Sequence, residues 1–306
     1  MVNLIAIIGP TATGKSRFAI ELAESVDGEI INADSKQIYK YMDIGTSTPD
    51  SFQVAKVKHH MYKLVNPDQQ FSLGVYLDHA RPTIDDVLKK GKLPILVGGT
   101  AQYIWAILEG WQVPRVPPNP SLRTELENLV ETEGAHNLHT MLTNSDPIAA
   151  EKIHPNNVRR VIRALEVIDQ TGEMFSKLSA RKTPSWKVKI LGLTMDKLKL
   201  QEAIAHRVLD QFKGGWPEEV NILRKKGYTE ELPSLSALGY KEIGQYIDGH
   251  ITMQETISQI TKLTHRFSRK QYGWFRLSDP RIHWIDRLDK PSPKIIGDIV
   301  TDLNLR

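Results

Sequence analysis

The sequence predicts an α/β protein in which a parallel β-sheet is covered by helices and a helical insertion interrupts the chain. Short apolar runs of strand length alternate with stretches of helical periodicity, a pattern typical of parallel sheets whose strands are joined through helices. The segment 113–120 then carries four prolines, which regular helices exclude from their interior. A long helical stretch without a convincing strand follows, so the proline segment marks a domain boundary.

The individual elements follow from length and periodicity. Apolar runs predict strands at residues 3–8, 29–33, 93–97, 188–194 and 282–286. Helical spacing predicts helices at 17–25, 76–90, 100–108 and 196–212, with Asp196 as the N-cap of the last one, and a helical region over 121–181. We therefore expect a core with helices on both faces of its sheet, formed by 1–114 and 187–306, and a helical insertion domain at 115–186.

Composition excludes several classes of protein. The 306 residues are 40% hydrophobic and 25% charged, which is ordinary for a globular chain. No apolar run approaches the roughly 20 residues that cross a bilayer, so we expect no membrane partner and a cytoplasmic location. Cysteine is absent, which excludes disulfides, thiolate zinc sites and cysteine nucleophiles.

The strongest motif is G-x-x-x-x-G-K-S, which stands at residues 9–16 between a predicted strand and a predicted helix. Its glycines permit a turn whose backbone N–H groups point inward and, with the helix N-terminus, cradle phosphates. Lys15 adds a cation, and the Ser16 hydroxyl can join the coordination shell of Mg²⁺. The motif predicts a P-loop NTPase-like core with a phosphate site formed by Gly9, Pro10, Thr11, Ala12, Thr13, Gly14, Lys15 and Ser16.

The nature of the phosphate ligand depends on a second strand. NTPases of this type usually carry an acid at the end of such a strand to position Mg²⁺. Here the run 94–97 ends in Gly98-Gly99-Thr100, without an acid. This favours a diphosphate donor over hydrolysed ATP, and a P-loop kinase or ATPase acting on a small molecule is the alternative.

Two further polar residues follow predicted strands. Ligands of open parallel sheets bind outside the carboxyl ends of the strands, so Asp34 and Thr100 are expected to face the same crevice as the phosphate loop. From its position alone, Asp34 is a candidate helix cap, Mg²⁺ ligand or general base. Thr100 is a candidate N-cap of the following helix, a role compatible with a place in the site.

Positive charge is concentrated in two stretches, although the net charge is only +4. Residues 154–190 hold eight Lys and Arg against three acids, and residues 262–276 hold five against none. Each stretch is either a solvated helix face or a surface that contacts phosphates.

Six segments, taken in order, resemble the tRNA dimethylallyltransferases (isopentenyl-diphosphate:tRNA transferases). They are GPTATGKS at 9–16, DSKQIYKYMDIGT at 34–46, LVGGTAQY at 96–103, IHPNNVRRVIRALE at 153–166, ALGY at 237–240 and WFR at 274–276. The phosphate loop is widely shared, whereas the second and fourth segments are specific, and together the six are spread over most of the chain.

The resemblance implies transfer of a dimethylallyl group from dimethylallyl diphosphate to N6 of adenosine 37, in the anticodon stem-loop of tRNAs that read codons starting with U. It implies a monomer that uses Mg²⁺ and flips the adenosine into a channel of the core. A prenyltransferase of the same fold that modifies AMP or ADP is a further alternative, which the intact segment 154–166 disfavours.

The resemblance also implies roles for individual residues. Asp34 matches the general base on N6, Thr100 matches the threonine that bonds the bridging oxygen of the leaving group, and Arg207 matches an arginine of the diphosphate site. The implied tRNA contacts are Asp34, Ser35, Lys36, Gln37, Thr100, Arg123, Arg159, Arg160, Val161, Ile162 and Arg163. Gln37 is suited to reading an adenine edge.

The second half departs from the family pattern at three places. His265 replaces the arginine of T-R-x-x-A-K-R-Q, which reads Thr-His-Arg-Phe-Ser-Arg-Lys-Gln at 264–271. Gln211 stands where a second arginine is common, and Gly-Gly-Trp-Pro at 214–217 stands in place of helical sequence. The diphosphate and tRNA contacts of this half therefore stay open.

Overall fold

The computed structural model describes residues 2–286 and 292–302. Its strands are β1 (Leu4–Ile8), β2 (Gly28–Asn32), β3 (His59–His60), β4 (Leu93–Val97), β5 (Val188–Thr194) and β6 (Ile282–Asp286). They form one sheet in the order β3-β2-β4-β1-β5-β6, and every neighbouring pair is parallel. All carboxyl ends therefore lie at one edge, where loops from distant parts of the sequence meet.

Helices join the strands and build the insertion. Those around the sheet are α1 (Lys15–Val26), α2 (Ser51–Lys56), α3 (Leu73–Lys89), α4 (Ala101–Leu108), α10 (Lys197–Lys213), α11 (Trp216–Lys225), α12 (Tyr240–Ile247), α13 (Met253–Trp274) and α14 (Ser292–Asp302). Those of the insertion are α5 (Pro120–Glu133), α6 (Ala135–Ser145), α7 (Pro147–Lys152), α8 (Val158–Thr171) and α9 (Phe175–Leu178).

The sheet is buried on both faces, as parallel sheets usually are. Every residue of β1 is inaccessible to solvent, and Ile5 and Ile7 join an apolar cluster with α1 and α14. Helix α3 contacts β2 and β4 but contributes nothing to that cluster, so it covers the opposite face. The predicted parallel sheet with helices on both faces is confirmed.

The predicted strands 93–97, 188–194 and 282–286 match β4, β5 and β6, and Asp196 caps α10 as expected. The expectation for 214–217 is right for the glycines, which separate α10 from α11, and wrong for Trp216 and Pro217. These two residues open α11, because proline is accepted in the first helical turn.

The sequence patterns did not predict several of the observed elements. They are α2, β3 and the helices from α11 to α14. The edge strand β3 has only two residues, which is too short for any periodicity.

The chain divides into two compact units, Met1–Leu108 with Ser185–Arg306, and Glu109–Pro184. The second unit begins before the expected residue 115, because Trp111 and Arg181 form an antiparallel bridge and Lys182 N–H donates to the carbonyl of Gly110. The proline segment therefore belongs to this unit. Its core is formed by apolar residues of α5 to α8 and Ile153.

Among residues 2–286 and 292–302, none of the helices has both the length and the apolar character needed to cross a bilayer.

Candidate active site

A cavity of about 420 Å³ opens at the carboxyl ends of the central strands. Its wall contains Thr11, Ala12 and residues 14–17 of the phosphate loop and the start of α1, Asp34 and Gln37 after β2, Gly98 and Gly99 after β4, Arg207 of α10, and Phe267 and Gln271 of α13. Asp34 is the only acid among the described residues of this wall, against Lys15, Arg17 and Arg207. The wall therefore carries a positive excess that suits an anionic ligand.

The phosphate loop has the backbone conformation of an anion-binding turn. Gly9, Ala12 and Gly14 have φ values of 133°, 67° and 80°, which turn successive N–H groups toward one side. A Cβ on Gly9 would lie 2.3 Å from the carbonyl oxygen of Leu193, so only glycine fits between β1 and β5. The loop is braced from within, since Thr13 Oγ1 donates to the carbonyl of Pro10 at 2.9 Å.

Two cations stand close together beside the loop. Burial, together with the charge of nearby Arg207, lowers the pKa of Lys15 to about 7, against the opposing influence of Asp34. Lys15 Nζ donates to the carbonyl of Pro10 at 2.7 Å, and Arg207 NH1 donates to Thr11 Oγ1 at 2.7 Å. A bound diphosphate would supply the negative charge that this pair lacks.

Gln271 joins the phosphate loop to the loop after β4. Its Oε1 accepts from the N–H of Thr11 at 2.8 Å, and its Nε2 donates to the carbonyl of Gly99 at 3.1 Å. The side chain is buried. Sequence reasoning places this glutamine in the divergent 264–271 segment without a role, and the fold gives it one.

Asp34 is held in place by its neighbours. Its N–H donates to Asn32 Oδ1 at 2.8 Å, and its Oδ1 accepts from the N–H of Lys36 at 2.9 Å. No helix begins between Asp34 and Asp50, and the next one starts at Ser51, so the helix-cap interpretation of Asp34 is wrong. The carboxylate lines the cavity, where a general base or a metal ligand would stand.

Thr100 links the loops after β2 and β4. Its hydroxyl accepts from the N–H of Ser35 at 2.9 Å and donates to Ser35 Oγ at 3.1 Å. The hydroxyl is therefore directed at the turn after Asp34. Thr100 directly precedes α4, and its carbonyl accepts from the N–H groups of Tyr103 and Ile104 at 3.0 and 3.2 Å, so its backbone holds the N-cap position. Gly98 and Gly99 of the same loop form the cavity wall itself.

The side chains of Lys36 and Gln37 are engaged within the protein. Lys36 Nζ donates to the carbonyls of Pro233 and Ser234 at 2.7 and 3.2 Å, and burial lowers its pKa to about 8. Gln37 Nε2 donates to the carbonyls of Thr46 and Ser47, which leaves its Oε1 as the hydrogen-bonding group that can serve a ligand. Direct tRNA contact by Lys36 stays a prediction.

The buried carboxylate of Glu219, which the sequence patterns did not single out, holds the backbone of the segment 43–45. Glu219 Oε2 accepts from the N–H groups of Asp43 and Ile44, both at 2.6 Å. Its Oε1 accepts from Gly45 N–H at 3.1 Å and from the Tyr240 hydroxyl at 2.8 Å. Burial raises the pKa of Glu219 despite these hydrogen bonds. Two motifs far apart in sequence, 34–46 and 237–240, meet at this side chain.

Gln211 supports the same segment. Its Nε2 donates to the carbonyls of Ile44 and Gly45 at 2.7 and 3.0 Å. In this chain, the glutamine at a common arginine position therefore holds the loop and has its amide nitrogen engaged. Arg207 of the same helix lines the cavity, and its role at a diphosphate stays a prediction.

In the second unit, two of the arginines expected to contact tRNA pair with buried Glu166. Arg123 donates from Nε and NH2 at 2.8 and 2.9 Å, Arg163 pairs from NH1, and the N–H of Asn119 donates at 2.7 Å. Burial alone would raise the pKa of Glu166, but these hydrogen bonds outweigh it and lower the pKa to about 2. The cluster braces α5 against α8.

Four expected tRNA contacts lie next to one another on α8 and divide by exposure. Val161 and Ile162 are buried in the apolar core of the unit, so the expectation that their side chains meet RNA needs correction. Arg159 and Arg160 are exposed at the start of the helix. The direction of each side chain around the helix, which segment matching does not resolve, causes this division.

The second basic stretch forms a stripe on α13. Lys262, Arg266 and Arg269 recur at spacings of four and three residues, and all three are exposed. Such spacing places side chains on one helix face. The same helix contributes Phe267 and Gln271 to the cavity wall, so the stripe and the cavity share one element.

Comparison with known proteins agrees with this geometry. A family model described as IPP transferase matches residues 37–278, and one described as isopentenyl transferase matches residues 2–66. The chain is 44% identical over 276 residues to the tRNA dimethylallyltransferase of Roseiflexus castenholzii, covering 90% of each chain. It is 42% identical over 285 residues to that of Dehalococcoides mccartyi, covering 93% of this chain and 88% of the relative.

Solved structures give the same grouping. The full-length tRNA isopentenylpyrophosphate transferase of Bacillus halodurans superposes with a TM-score of 0.73 at 35% identity, over 99% of this chain and 96% of that one. A eukaryotic dimethylallyltransferase acting on tRNA shares the fold, with a TM-score of 0.78 at 24% identity, over 99% of this chain and 80% of that one. Together with the family-model match, these relationships show that the chain belongs to the IPP transferase family, that of the tRNA dimethylallyltransferases.

Proposed function

We propose that this chain transfers the dimethylallyl group of dimethylallyl diphosphate to N6 of adenosine 37 in tRNAs that read codons starting with U. One observation carries the proposal: the phosphate loop and the Asp34 carboxylate line the same cavity. A candidate anion site and a candidate proton acceptor thus share the space where donor and acceptor would meet. We further propose that the enzyme acts as a cytoplasmic monomer.

The reaction is a substitution at the allylic carbon. The N6 lone pair is delocalised into the adenine ring, so the amine is a weak nucleophile. Asp34 accepts the N6 proton as the N6–carbon bond forms, which is the task of a general base. The carbon–oxygen bond to diphosphate breaks at the same centre, and the inward-facing N–H groups, Lys15 and Arg207 stabilise the departing anion.

Recognition of adenine involves the residues around Asp34. Gln37 presents its amide oxygen, because its nitrogen is already bonded to two carbonyls. An oxygen acceptor beside the carboxylate suits the two N–H donors of an exocyclic amine and disfavours the carbonyl of guanine. Thr100 orders the turn through Ser35, and to bond the bridging oxygen of the leaving group, as the resemblance implies, its hydroxyl would redirect its proton from Ser35 Oγ.

Mg²⁺ fits the donor set of the loop. The hydroxyl of Ser16 lines the cavity, and Mg²⁺ is usually held by one or two protein groups together with substrate phosphates and water. Among residues 2–286 and 292–302, no cluster of three His, Asp or Glu could hold a metal by itself. Ser16 and the donor would therefore share the ion, which supplies charge neutralisation of the diphosphate.

Exposed basic residues of each unit would contact RNA phosphates. Unpaired loop bases are more accessible to proteins than duplex bases, and flipping one into a pocket costs a few kcal/mol. Phosphate contacts can offset this cost, and they can come from the stripe Lys262, Arg266 and Arg269 and from the pair Arg159 and Arg160.

A kinase or ATPase is disfavoured, since Asp34 is the only acid among the described residues of the cavity wall.

The decisive experiment incubates the protein with dimethylallyl diphosphate, Mg²⁺ and unmodified tRNA and identifies the product nucleoside and its position by mass spectrometry. We expect N6-(dimethylallyl)adenosine at position 37. Parallel reactions with ATP, and with AMP as acceptor, cover the two alternatives. Hydrolysis of ATP, or transfer to AMP with none to tRNA, would contradict the proposal.

A further inference from the structure

An aromatic pair stands beside the segment that lines the cavity, with Tyr41 exposed and Tyr228 half-buried. The rings of Tyr41 and Tyr228 are 6.4 Å apart between centroids and inclined by only 24°. Lys226 Nζ lies 4.7 Å from the centroid of the Tyr41 ring. Tyr41 is 42% exposed, and Lys226 is exposed as well. We name Tyr41, Tyr228 and Lys226 the tyrosine platform.

The backbone under this platform is strained. Tyr41 has φ of 65°, a left-handed conformation that aromatic residues rarely adopt. Of the six non-glycine residues with positive φ in the described part of the chain, four lie in just two segments, 41–47 and 61–63. Residues held in unfavourable conformations are concentrated at ligand sites, where surrounding contacts over-determine them. The strain at Tyr41 therefore suggests a function for the exposed ring.

The platform is tied to the cavity on both sides. Gln37 lines the cavity four residues before Tyr41, and its carbonyl accepts from the N–H of Lys63 at 3.1 Å. The N–H of Lys40 in turn donates to the carbonyl of Val65 at 2.9 Å. On the other side, Lys36 is bonded to the carbonyl of Pro233, in the segment that follows Tyr228. Four residues span at most about 14 Å, so Tyr41 stands within reach of the groups next to a ligand that fills the cavity.

We propose that the tyrosine platform stacks an unpaired RNA base that neighbours the adenosine in the cavity. The inference rests on the proposed function, because flipping one base into a pocket leaves the adjacent bases without a stacking partner. Exposed aromatic rings are the usual replacement for that partner. The ammonium of Lys226 adds a cation that can pass from the ring to a phosphate, a combination that suits a nucleotide better than an apolar peptide.

The first test compares Tyr41→Gly with Tyr41→Phe in the full chain. Glycine accepts the positive φ, so Tyr41→Gly should keep or raise the melting temperature while its affinity for an anticodon stem-loop RNA falls about 10-fold, as loss of one stacked base predicts. Tyr41→Phe keeps the ring and should bind like wild type. Affinity is read by fluorescence anisotropy, and binding of inorganic diphosphate confirms that the cavity of each variant is intact.

The second test locates the stacked base. Single abasic substitutions around the target adenosine are scanned against wild type and Tyr41→Gly. One substitution should weaken wild-type binding and have little effect on Tyr41→Gly, since the base and the ring act as a pair. Wild-type transfer to intact RNA, measured alongside, tests the proposed function separately from the platform.

Two outcomes would overturn the platform inference. Equal RNA affinity of wild type and Tyr41→Gly, with wild-type transfer intact, shows that the ring does not bind RNA. Equal RNA affinity together with reduced self-association of Tyr41→Gly in sedimentation assigns the ring to a second copy of the chain. As an independent check, Tyr228→Ala and Lys226→Gln should each weaken RNA binding less than Tyr41→Gly does.

Discussion

The side-chain oxygen of Gln271 accepts a hydrogen bond from the backbone N–H of Thr11 at 2.8 Å, across 260 residues of sequence. Because the Gln271 nitrogen also donates to the carbonyl of Gly99, one amide sets the spacing between the phosphate loop and the loop after β4. The carboxyl ends of two central strands are thereby fixed to one another at the cavity.

Replacing Gln271 should therefore weaken diphosphate binding. Gln271→Leu removes both hydrogen bonds and is expected to raise the dissociation constant of inorganic diphosphate by about 10-fold. Gln271→Glu should be worse, since it turns a carboxylate oxygen toward the Gly99 carbonyl and adds negative charge to the cavity. Calorimetric titration measures both, with exposed Gln102→Glu as the control. Equal affinity of all four proteins would show that the bridge does not order the site.

Asp34→Ala should abolish prenyl transfer while leaving tRNA affinity mostly intact, because the carboxylate acts on the proton of N6 and not on the RNA backbone. Asp34→Asn keeps the shape and should lower kcat by about 100- to 10,000-fold, the usual contribution of a positioned base. Turnover is followed with labelled donor, and binding is measured separately. Near wild-type turnover of either variant would show that the general-base role is wrong.

Arg159→Gln combined with Arg160→Gln should weaken tRNA binding and flatten its salt dependence. Two lost phosphate contacts are expected to reduce the slope of log affinity against log salt by about 1.4 to 1.8. Lys177→Gln removes one charge from the same unit, but from a lysine already paired with Glu173 at 2.6 Å, and serves as the control. Parallel salt curves for the double variant and wild type would remove these arginines from the RNA surface.

Glu166→Gln should lower the free energy of unfolding of the helical unit by about 3 kcal/mol. This is the lower end of the usual cost of breaking a buried ion pair, because the arginine partners of Glu166 are partly exposed. The folded pKa of about 2 lies below the ordinary value of 4.5. The charge therefore stabilises fully above pH 4.5, and the contribution is lost as the pH falls toward 2.

Urea unfolding at a series of pH values tests this sign, with exposed Glu131→Gln as the control for Glu166→Gln. The stability gap between wild type and Glu166→Gln should be widest near neutral pH and should narrow in acid. A gap that is constant with pH would mean that the charge of Glu166 contributes nothing.

Glu219→Gln should loosen the segment 43–47, because all four groups around this carboxylate are donors and the amide nitrogen would face some of them. We expect a loss of about 2 to 3 kcal/mol in the free energy of unfolding, against about 1 kcal/mol for Tyr240→Phe, which removes one hydrogen bond. Denaturant unfolding compares the two variants. A smaller loss for Glu219→Gln than for Tyr240→Phe would contradict this account.

The sequence by itself determined the five longer strands of the sheet and the turn of the phosphate loop. Strand runs such as 93–97 and 188–194 are local patterns of apolar residues, and the loop motif at 9–16 carries its own turn-forming glycines. Asp34 follows β2, and parallel strands bring their carboxyl ends to one edge, so its place in the site could also be inferred. Family-specific motifs then identified the chemistry.

Only the tertiary structure determined which groups the polar and charged side chains pair with. Arg159 and Arg163 stand four residues apart on α8, yet one is exposed and the other pairs with buried Glu166 of the same helix. The packing of α5 adds Arg123 to that carboxylate, which the local sequence around Glu166 does not state. In the sequence, Glu219 is an ordinary acid near the start of a helix. Only in the fold does its carboxylate accept hydrogen bonds from the N–H groups of Asp43, Ile44 and Gly45. A sequence states which groups can donate, accept or carry charge, whereas packing decides which of them meet, and that is why Gln271 and Glu219 emerged only from the fold.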